Sequence, residues 1–480
     1  MSDQIEDEFL GVELGDKRRN QRFGSVAALL GAAPSRSIAG ACGGWNEALA
    51  AYRLLAAEET TPQAILAPHQ NCFLQRAKEA GGVLVIQDTT EIDLSSMKTM
   101  AGRGPLNDES RRGVFVHSLY AVSEAGLPLG VVAATILARN DEDFRQATAR
   151  KHQPIEEKES FRWVQGYLRA QEVARQLPQS EVTMLSDREG DIYEVFTAWA
   201  QAGAAGGPCA QWIIRAHQDR ALEGLDLEPP QKLFAALACA PELGIIDFQV
   251  VAKRQPKKRH GTTVQNQRSA RHVRQRLRAL KITPRAPRRR GKKLAPVSFW
   301  AVLAEEIDPP PGEEPLSWLL LTSLEVHSFE VARRVIALYL RRWDIEVFHR
   351  VLKTGCRVEQ IQLKGAQAVR SCLTLYTIIA WWLLYLTHLG RHCPELPCSV
   401  VFTEAEWKST CKVAAAKNLN GYKKGAPLRE PPLGEFMALV ARLGGHLGRR
   451  SDQPPGAQVI WQGLTRVHDF ACAWEAIYQD

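Results

Sequence analysis

The chain has 480 residues, 45% of them hydrophobic and 24% charged, which are the proportions of a globular protein with room for two or three domains. Its net charge of +8 is concentrated: 17 Lys and Arg and no Asp or Glu lie between Lys253 and Lys293, so the remainder carries −9. That pattern points to a polyanionic partner, nucleic acid first, or else to a basic loop without a specific role, and ten scattered Cys with no CxxC pair exclude a zinc-finger or disulfide framework.

The acidic start, Met1 to Glu8, has no apolar core, so no secretory leader is expected. With free thiols this suggests a reducing, cytoplasmic setting. Residues 7–65 read as helical. Leu14 to Arg22 is basic and leads into Val26–Leu30; an Ala-rich segment from Trp45 to Leu55 ends near Thr60-Thr61-Pro62. This stretch is a small DNA-binding unit or simply a helical cap. Val83 to Ile86 is a short apolar strand closed by Gln87-Asp88-Thr89-Thr90. An acid at the carboxyl end of a buried strand is where α/β sheets place their chemistry, although taken alone Asp88 reads more readily as the cap of the following turn. Val114–Val122 and Leu129–Ile136 flank Gly126-Leu-Pro128 and predict a hairpin. Residues 156–177 have helical periodicity, and Glu181–Ser186 is a strand closed by Asp187-Arg188-Glu189-Gly190-Asp191.

From about 197 to 325 the chain reads as a β-rich insertion, with strands near 211–216, 245–252, 273–282, 297–303 and 318–321. Arg274, Arg276 and Arg278 alternate and should line one strand face, where they could track a DNA backbone. Trp318 begins the last of these strands; a Trp there is core packing or a stacking platform for an extruded base. The next stretch, Val335 to Lys353, has neither Pro nor Gly and predicts one helix. At about 100° per residue, Tyr339, Arg342, Glu346 and Lys353 fall within roughly 60° of one another, and Leu338, Ile345, Phe348 and Leu352 face a core. The polar row is a solvated face with helix ion pairs, or a metal-ligating carboxylate whose cationic neighbours hold phosphates. After Ser371 the chain is helical again. Its most apolar run, Cys372 to Leu386, is about 15 residues long and is expected to be buried rather than to span a bilayer. The final amphipathic stretch, Val459 to Ile477, would close a core or mediate self-association.

Two strand ends and a helix can bring three carboxylates, Asp88, Asp187 and Glu346, around a pair of divalent ions. Hard oxygen ligands suit Mg²⁺ or Mn²⁺, and two such ions polarise the attacking and leaving oxygens of a phosphoryl displacement.

The set Tyr339-x2-Arg342-x3-Glu346-x6-Lys353 resembles the signature of bacterial cut-and-paste DDE transposases of the insertion-sequence-four (Tn-five-like) family. Ile86-Gln-Asp88-Thr-Thr and Asp187-Arg-Glu-Gly-Asp-Ile192 resemble that family's two acidic motifs, and Leu14-Gly-Asp-x-Arg-Arg, Trp318-Leu-Leu-Leu-Thr and Ala441-Arg-Leu-Gly-Gly445 extend the likeness from about residue 10 to the C-terminus. The resemblance implies an α/β fold with an RNase H-like catalytic core at 66–370, interrupted by the basic β-rich insertion. It implies a helical DNA-binding domain at 1–65 and a helical dimerisation domain at 371–480. It implies Asp88, Asp187 and Glu346 as catalytic residues and ligands of two Mg²⁺ or Mn²⁺ ions. Tyr339, Arg342 and Lys353 would hold phosphates of the element end, Trp318 would support a flipped base, and Arg215 and Arg188 would contact DNA. The implied partners are double-stranded DNA, both element ends and target, and a second copy in a synaptic dimer, with no membrane. The function expected is cleavage at element ends through a DNA hairpin and strand transfer. The alternatives are a structure-specific nuclease without strand transfer, or an inactive DNA-binding relative.

Overall fold

The computed structural model describes residues 2–141, 153–223, 231–250, 270–289, 292–425, 427–449, 452 and 454–478. The chain divides into two compact units, one of Met1–Ala149 with Trp343–Asp480 and the other of Arg150–Arg342.

The first unit opens with helices α1 (Ser2–Asp7), α2 (Lys17–Ala32), α3 (Ile38–Cys42), α4 (Trp45–Ala56) and α5 (Pro62–Ala80). Asp16 caps α2 by accepting the N–H groups of Arg18 and Arg19. The Thr61-Pro62 pair read as a stop is the start of α5: Thr61 accepts the Ala64 N–H, and Pro62 takes the first helical position, where no N–H is needed. Four strands follow, β1 (Gly82–Asp93), β2 (Gly104–Pro105), β3 (Arg112–Ser123) and β4 (Pro128–Leu137). β3 pairs antiparallel with β1, β2 and β4, and the expected hairpin forms at Gly126, whose φ of 92° suits glycine.

Strand β1 overruns the expected 83–86. Its ladder to β3 runs unbroken from Val83↔Ser123 to Asp93↔Gly113. Burial falls after Gln87 while the backbone pairing continues, so the apolar run marked where the strand stops being covered, not where it ends. Asp88 therefore sits inside a strand.

In the second unit, α6 (Phe161–Gln176) leads to β5 (Glu181–Ser186), α7 (Tyr193–Ala204) and β6 (Gln211–Arg215); α8 (Leu233–Cys239) precedes β7 (Glu242–Val250) and β8 (Arg271–Ile282). The short pair β9 (Arg288–Arg289) and β10 (Lys292–Lys293) comes next, then β11 (Phe299–Glu306), β12 (Ser317–Thr322) and α9 (Phe329–Leu340). β5 and β6 pair in parallel; β6–β12, β12–β11, β11–β8 and β8–β7 are antiparallel. An aromatic core joins α7 to β6 and β11, with Phe196 5.0 Å from Trp212 and Trp212 5.1 Å from Phe299. Helices α7 and α8 were not foreseen. Residues 251–269, which hold the first part of the basic run, lie outside the described residues. Of the rest, Arg274, Arg276 and Arg278 do share the face opposite buried Val273, Gln275 and Leu277. They are answered by neighbours: Arg276 pairs with Glu242 at 2.7 Å, Arg274 lies 3.8 Å from Asp247, and Arg278 donates to the Ala240 carbonyl.

The chain re-enters the first unit with α10 (Asp344–Arg350), α11 (Ala366–His392), α12 (Glu404–Ala416), α13 (Leu433–Leu443) and α14 (Ala457–Tyr478). α11 is 27 residues long, longer than the expected run, and is long and apolar enough to cross a bilayer; here most of its apolar stretch is buried against α4, α5 and β4. Gly444 and Gly463 let α13 and α14 approach backbone to backbone, since a Cβ at either would lie within 2 Å of the Val459 or Val440 carbonyl oxygen. That gives the Ala441–Gly445 motif a packing role. The architecture is thus mixed α/β with mostly antiparallel pairing and helical ends, as expected at that level.

Candidate active site

The stretch expected to be one regular helix is not regular. α9 ends at Leu340, Arg341–Trp343 form a 3₁₀ turn, α10 covers Asp344–Arg350, and Val351–Gly355 form a π turn. A 3₁₀ turn rotates each residue by about 120° and a π turn by less than an α-helix does, so the four signature residues leave the straight row expected of them. Tyr339 and Arg342 are buried, at 4% and 7% exposure, whereas Glu346 is exposed and Lys353 is half-buried. The apolar half of the expectation holds: Leu338, Ile345, Phe348 and Leu352 are all buried.

In the second unit, five expected site residues gather. Asp187 follows β5 directly and caps the 3₁₀ turn Arg188–Gly190, its Oδ1 accepting the Glu189 N–H at 2.8 Å. Arg215 ends β6, the parallel neighbour of β5. Tyr339 and Arg342 come from α9 and the turn after it. Burial lowers the pKa of Arg215; Arg188 and Arg342 push it the same way, and Tyr339 and Asp187 oppose. Burial pushes the Tyr339 phenol up to about 12 against the pull of Arg342, which also hydrogen-bonds it, and of Arg215. The phenol is therefore neutral at pH 7. Arg188, Arg215 and Arg342 thus bring fork-shaped donors suited to phosphate beside Asp187 and Tyr339. Trp318 lies on β12 two residues before Leu320, the register partner of Arg215, and its half-buried ring lies near-parallel to Phe248, 6.2 Å away.

In the first unit, α10 is pinned to the sheet by Phe348, whose ring stacks on Tyr120 of β3 at 4.6 Å. Tyr120 faces Ile86 across the β1–β3 ladder, and Ser118 faces Asp88. Residues two apart share a face, so Asp88 lies on the sheet face that packs α10, the helix bearing Glu346 two residues before Phe348. The Asp88 Oδ1 accepts the Thr89 N–H at 2.7 Å, and Thr89 is held in turn by His117 at 2.9 Å. Lys353 pairs with Glu359 at 3.2 Å, and Glu359 also accepts the Asp93 N–H at 3.1 Å.

Glu359 is a partner the sequence reading missed, being a lone acid six residues past Lys353 in no recognised pattern. Asp191 was quoted within a motif but given no role. It is 3% exposed and pairs with Arg220 at 2.6 Å. The acids are divided between the units: Asp88 and Glu346 belong to the first and Asp187 to the second. Among the described residues no group of three or more His, Cys, Asp or Glu is gathered as a metal site. The donor chemistry of the three is nonetheless that of a hard divalent cation. All are carboxylates, two half-buried and one exposed, and Asp88 and Asp187 are each oriented by a backbone N–H.

Two protein families match the ends of this chain. Residues 1–60 match a family described as Transposase DNA-binding, and residues 378–477 match the Transposase Tn5 dimerisation domain. The first covers α1 to α4; the second begins within α11 and ends within α14. The likeness to Tn5-like transposases read from the motifs is shown at both termini, and the matches support a transposase that binds DNA and dimerises.

Proposed function

We propose that the protein is a cut-and-paste DDE transposase with an RNase H-like catalytic core, in which Asp88, Asp187 and Glu346 hold two Mg²⁺ or Mn²⁺ ions at the scissile phosphodiester of an element end. The reading is carried by the cluster around Asp187, where Arg188, Arg215, Tyr339 and Arg342 gather in a partly desolvated site, in a chain whose two ends match transposase domains. When bound, the two ions would activate the attacking oxygen and neutralise the leaving one. Arg215 and Arg342 grip the phosphates flanking the cut, and the neutral Tyr339 phenol donates a hydrogen bond to a phosphate oxygen. Lys353 exchanges its pairing with Glu359 for a phosphate. Trp318, already stacked beside Phe248, offers a ring for a base turned out of the duplex. Water cleaves one strand and frees a 3′-OH at the element end. That hydroxyl attacks the opposite strand's phosphodiester, expelling the 3′-oxygen of the flanking DNA and closing a hairpin. A second water reopens the hairpin, and the restored 3′-OH attacks a target phosphodiester, displacing a target 3′-oxygen. The C-terminal helices pair two copies so that both ends are held together.

The test uses a duplex carrying the DNA that flanks the coding region. Asp88→Ala, Asp187→Ala and Glu346→Ala should each abolish Mg²⁺- or Mn²⁺-dependent cleavage while binding survives; cleavage at the wild-type rate by all three would reject the assignment. Supplying pre-cut ends with a target plasmid separates the alternatives, since a transposase gives joined product and a nuclease does not.

A further inference from the structure

Asp191 is a buried carboxylate of the second unit with both oxygens bonded, and the function proposed above gives it no task. Its side chain is fully buried. Oδ2 accepts the backbone N–H groups of both His217 and Gln218, at 2.8 and 2.9 Å. Oδ1 accepts from Arg220 Nη2 at 2.6 Å, and the same Nη2 reaches the Asp191 carbonyl at 2.8 Å. The Arg220 guanidinium also lies 5.5 Å over the Phe196 ring, in the aromatic core under β6. The residues Asp191 holds are the ones that follow Arg215 as the chain leaves β6. Asp191 itself closes the turn that begins at Asp187, its own N–H bonding to the Arg188 carbonyl at 3.3 Å. One carboxylate thus ties the loop after β5, bearing Asp187 and Arg188, to the loop that follows Arg215, the last residue of β6.

Burying an ion pair is costly and seldom raises stability over an apolar replacement, so a buried charge retained here calls for another role. The two parallel strands pair over a short ladder of four register pairs, the last being Ser186↔Ile214, which stops short of Asp187 and Arg215. Arg188 and Arg215 repel each other across that gap. Arg215 is also held by its pairing with Leu320 of β12, so the Asp191 tie acts chiefly on the turn that bears Arg188 and on the chain just past Arg215.

We infer that Asp191, with Arg220, is a positioning residue that locks the β5 and β6 loops so that Arg188 and Arg215 are pre-set around Asp187 to receive a phosphodiester. It touches no substrate and acts through Arg215. The inference rests on the proposed phosphoryl-transfer reading of the Asp187 cluster.

The experiment compares Asp191→Asn, Arg220→Met, Arg215→Ala and the double variant Asp191→Asn/Arg215→Ala in the full-length protein. The probe is the flanking-DNA duplex, titrated across a salt series, with cleavage rates alongside. Losing one phosphate contact lowers the slope of log affinity against log salt by about 0.9. Arg215→Ala should show that loss, Asp191→Asn and Arg220→Met should show the same loss with cleavage down at least tenfold, and the double variant should be no worse than Arg215→Ala. A merely structural role would lower the melting temperature and leave the salt slope of the folded protein alone. A wild-type slope and rate in folded Asp191→Asn or Arg220→Met overturns the inference, as does full additivity in the double variant. Should Asp191→Asn fail to fold, Arg220→Met decides alone, because it leaves the carboxylate bonded to the His217 and Gln218 amides. If instead Arg215→Ala itself changes neither slope nor cleavage, it is the phosphoryl-transfer reading that falls.

Discussion

Replacing Glu8 by Ala removes the centre of a buried charge network that fastens the end of α1 to the first unit. Glu8 is 5% exposed and accepts two bonds from Arg76, at 2.5 and 3.2 Å, and one from His69 Nδ1 at 2.5 Å. His69 Nε2 accepts the Val131 N–H at 2.9 Å, so the ring is a neutral imidazole with its proton on Nδ1, the form its complete burial also favours. Arg76 donates to the Leu129 carbonyl at 2.7 Å and lies 4.3 Å over Trp381, whose own N–H reaches Pro128 at 3.1 Å. One carboxylate therefore joins α1, α5, the start of β4 and α11. Breaking a buried pair from one side costs about 3–5 kcal/mol, because the remaining charge is left uncompensated. Arg76 keeps 20% exposure and can be partly rehydrated, which sets the expectation for Glu8→Ala near the lower end, about 3 kcal/mol. Arg76→Met in the Glu8→Ala background should recover at least about 1 kcal/mol by removing the orphaned cation. Burial raises the Glu8 pKa, but the His69 bond and Arg76 pull it further down, below its ordinary 4.5. The stabilisation is thus present above that value and lost as pH falls through the lower folded pKa. Urea unfolding of the full-length protein at pH 7 and at pH 4 measures both effects. A loss under about 1 kcal/mol at pH 7, or strict additivity of the two substitutions, would refute the network as the fastening.

Glu359→Gln should tighten binding of the flanking-DNA duplex about two- to fivefold at low salt, the pair being one-third exposed and so worth under about 1 kcal/mol; unchanged affinity in a filter or anisotropy titration would show that Lys353 does not move from acid to phosphate. His349 is held neutral by burial, with Lys353 adding to the effect, and its pKa is lowered to about 3. The unfolded chain takes up that proton near pH 6.5 and the folded chain does not, so stability should fall by about 1.4 kcal/mol per pH unit between roughly pH 6 and pH 3. His349→Phe should flatten that part of the profile, and a profile identical to wild type would contradict the burial argument.

Much of this was legible because patterning is local. The run Val83–Ile86, the Gly126 turn and the apolar spacing of Leu338, Ile345, Phe348 and Leu352 each reflect burial along one element, and each appears where expected. What escaped was set by groups far apart in sequence. Asp88 reads as a strand end because polarity begins there, yet the ladder to β3 continues, since backbone pairing is indifferent to side-chain polarity. Thr61-Pro62 reads as a stop because Pro ends helices as readily as it begins them. The arginines of β8 look like one unopposed stripe until Glu242 and Asp247 of β7 are placed beside them. Glu8, His69 and Arg76 have no sequence pattern at all.

The signature stretch shows how a legible motif can still mislead about geometry. A regular helix would have set Tyr339, Arg342, Glu346 and Lys353 in one solvated row, where cations and an acid four residues apart mostly neutralise one another. The 3₁₀ turn at Arg341–Trp343 instead lets Tyr339 and Arg342 be buried with Arg215 and Asp187, while Glu346 stays exposed on α10 and Lys353 falls in the π turn. Departures from α geometry inside a helix carry a hydrogen-bonding cost and persist where something else requires them. In the proposed function that requirement is a division of labour. Before the turn, Tyr339 and Arg342 are buried beside Arg215 and Asp187, a cluster that in the proposed function would receive a phosphate; after it, Glu346 stays accessible on a helix locked to the sheet by Phe348. If that is the reason for the turn, making Arg341–Trp343 helix-favouring should disturb DNA binding through the Arg342–Tyr339 pair. Arg342→Lys, which leaves the turn intact but removes the fork, should by itself reproduce the binding loss.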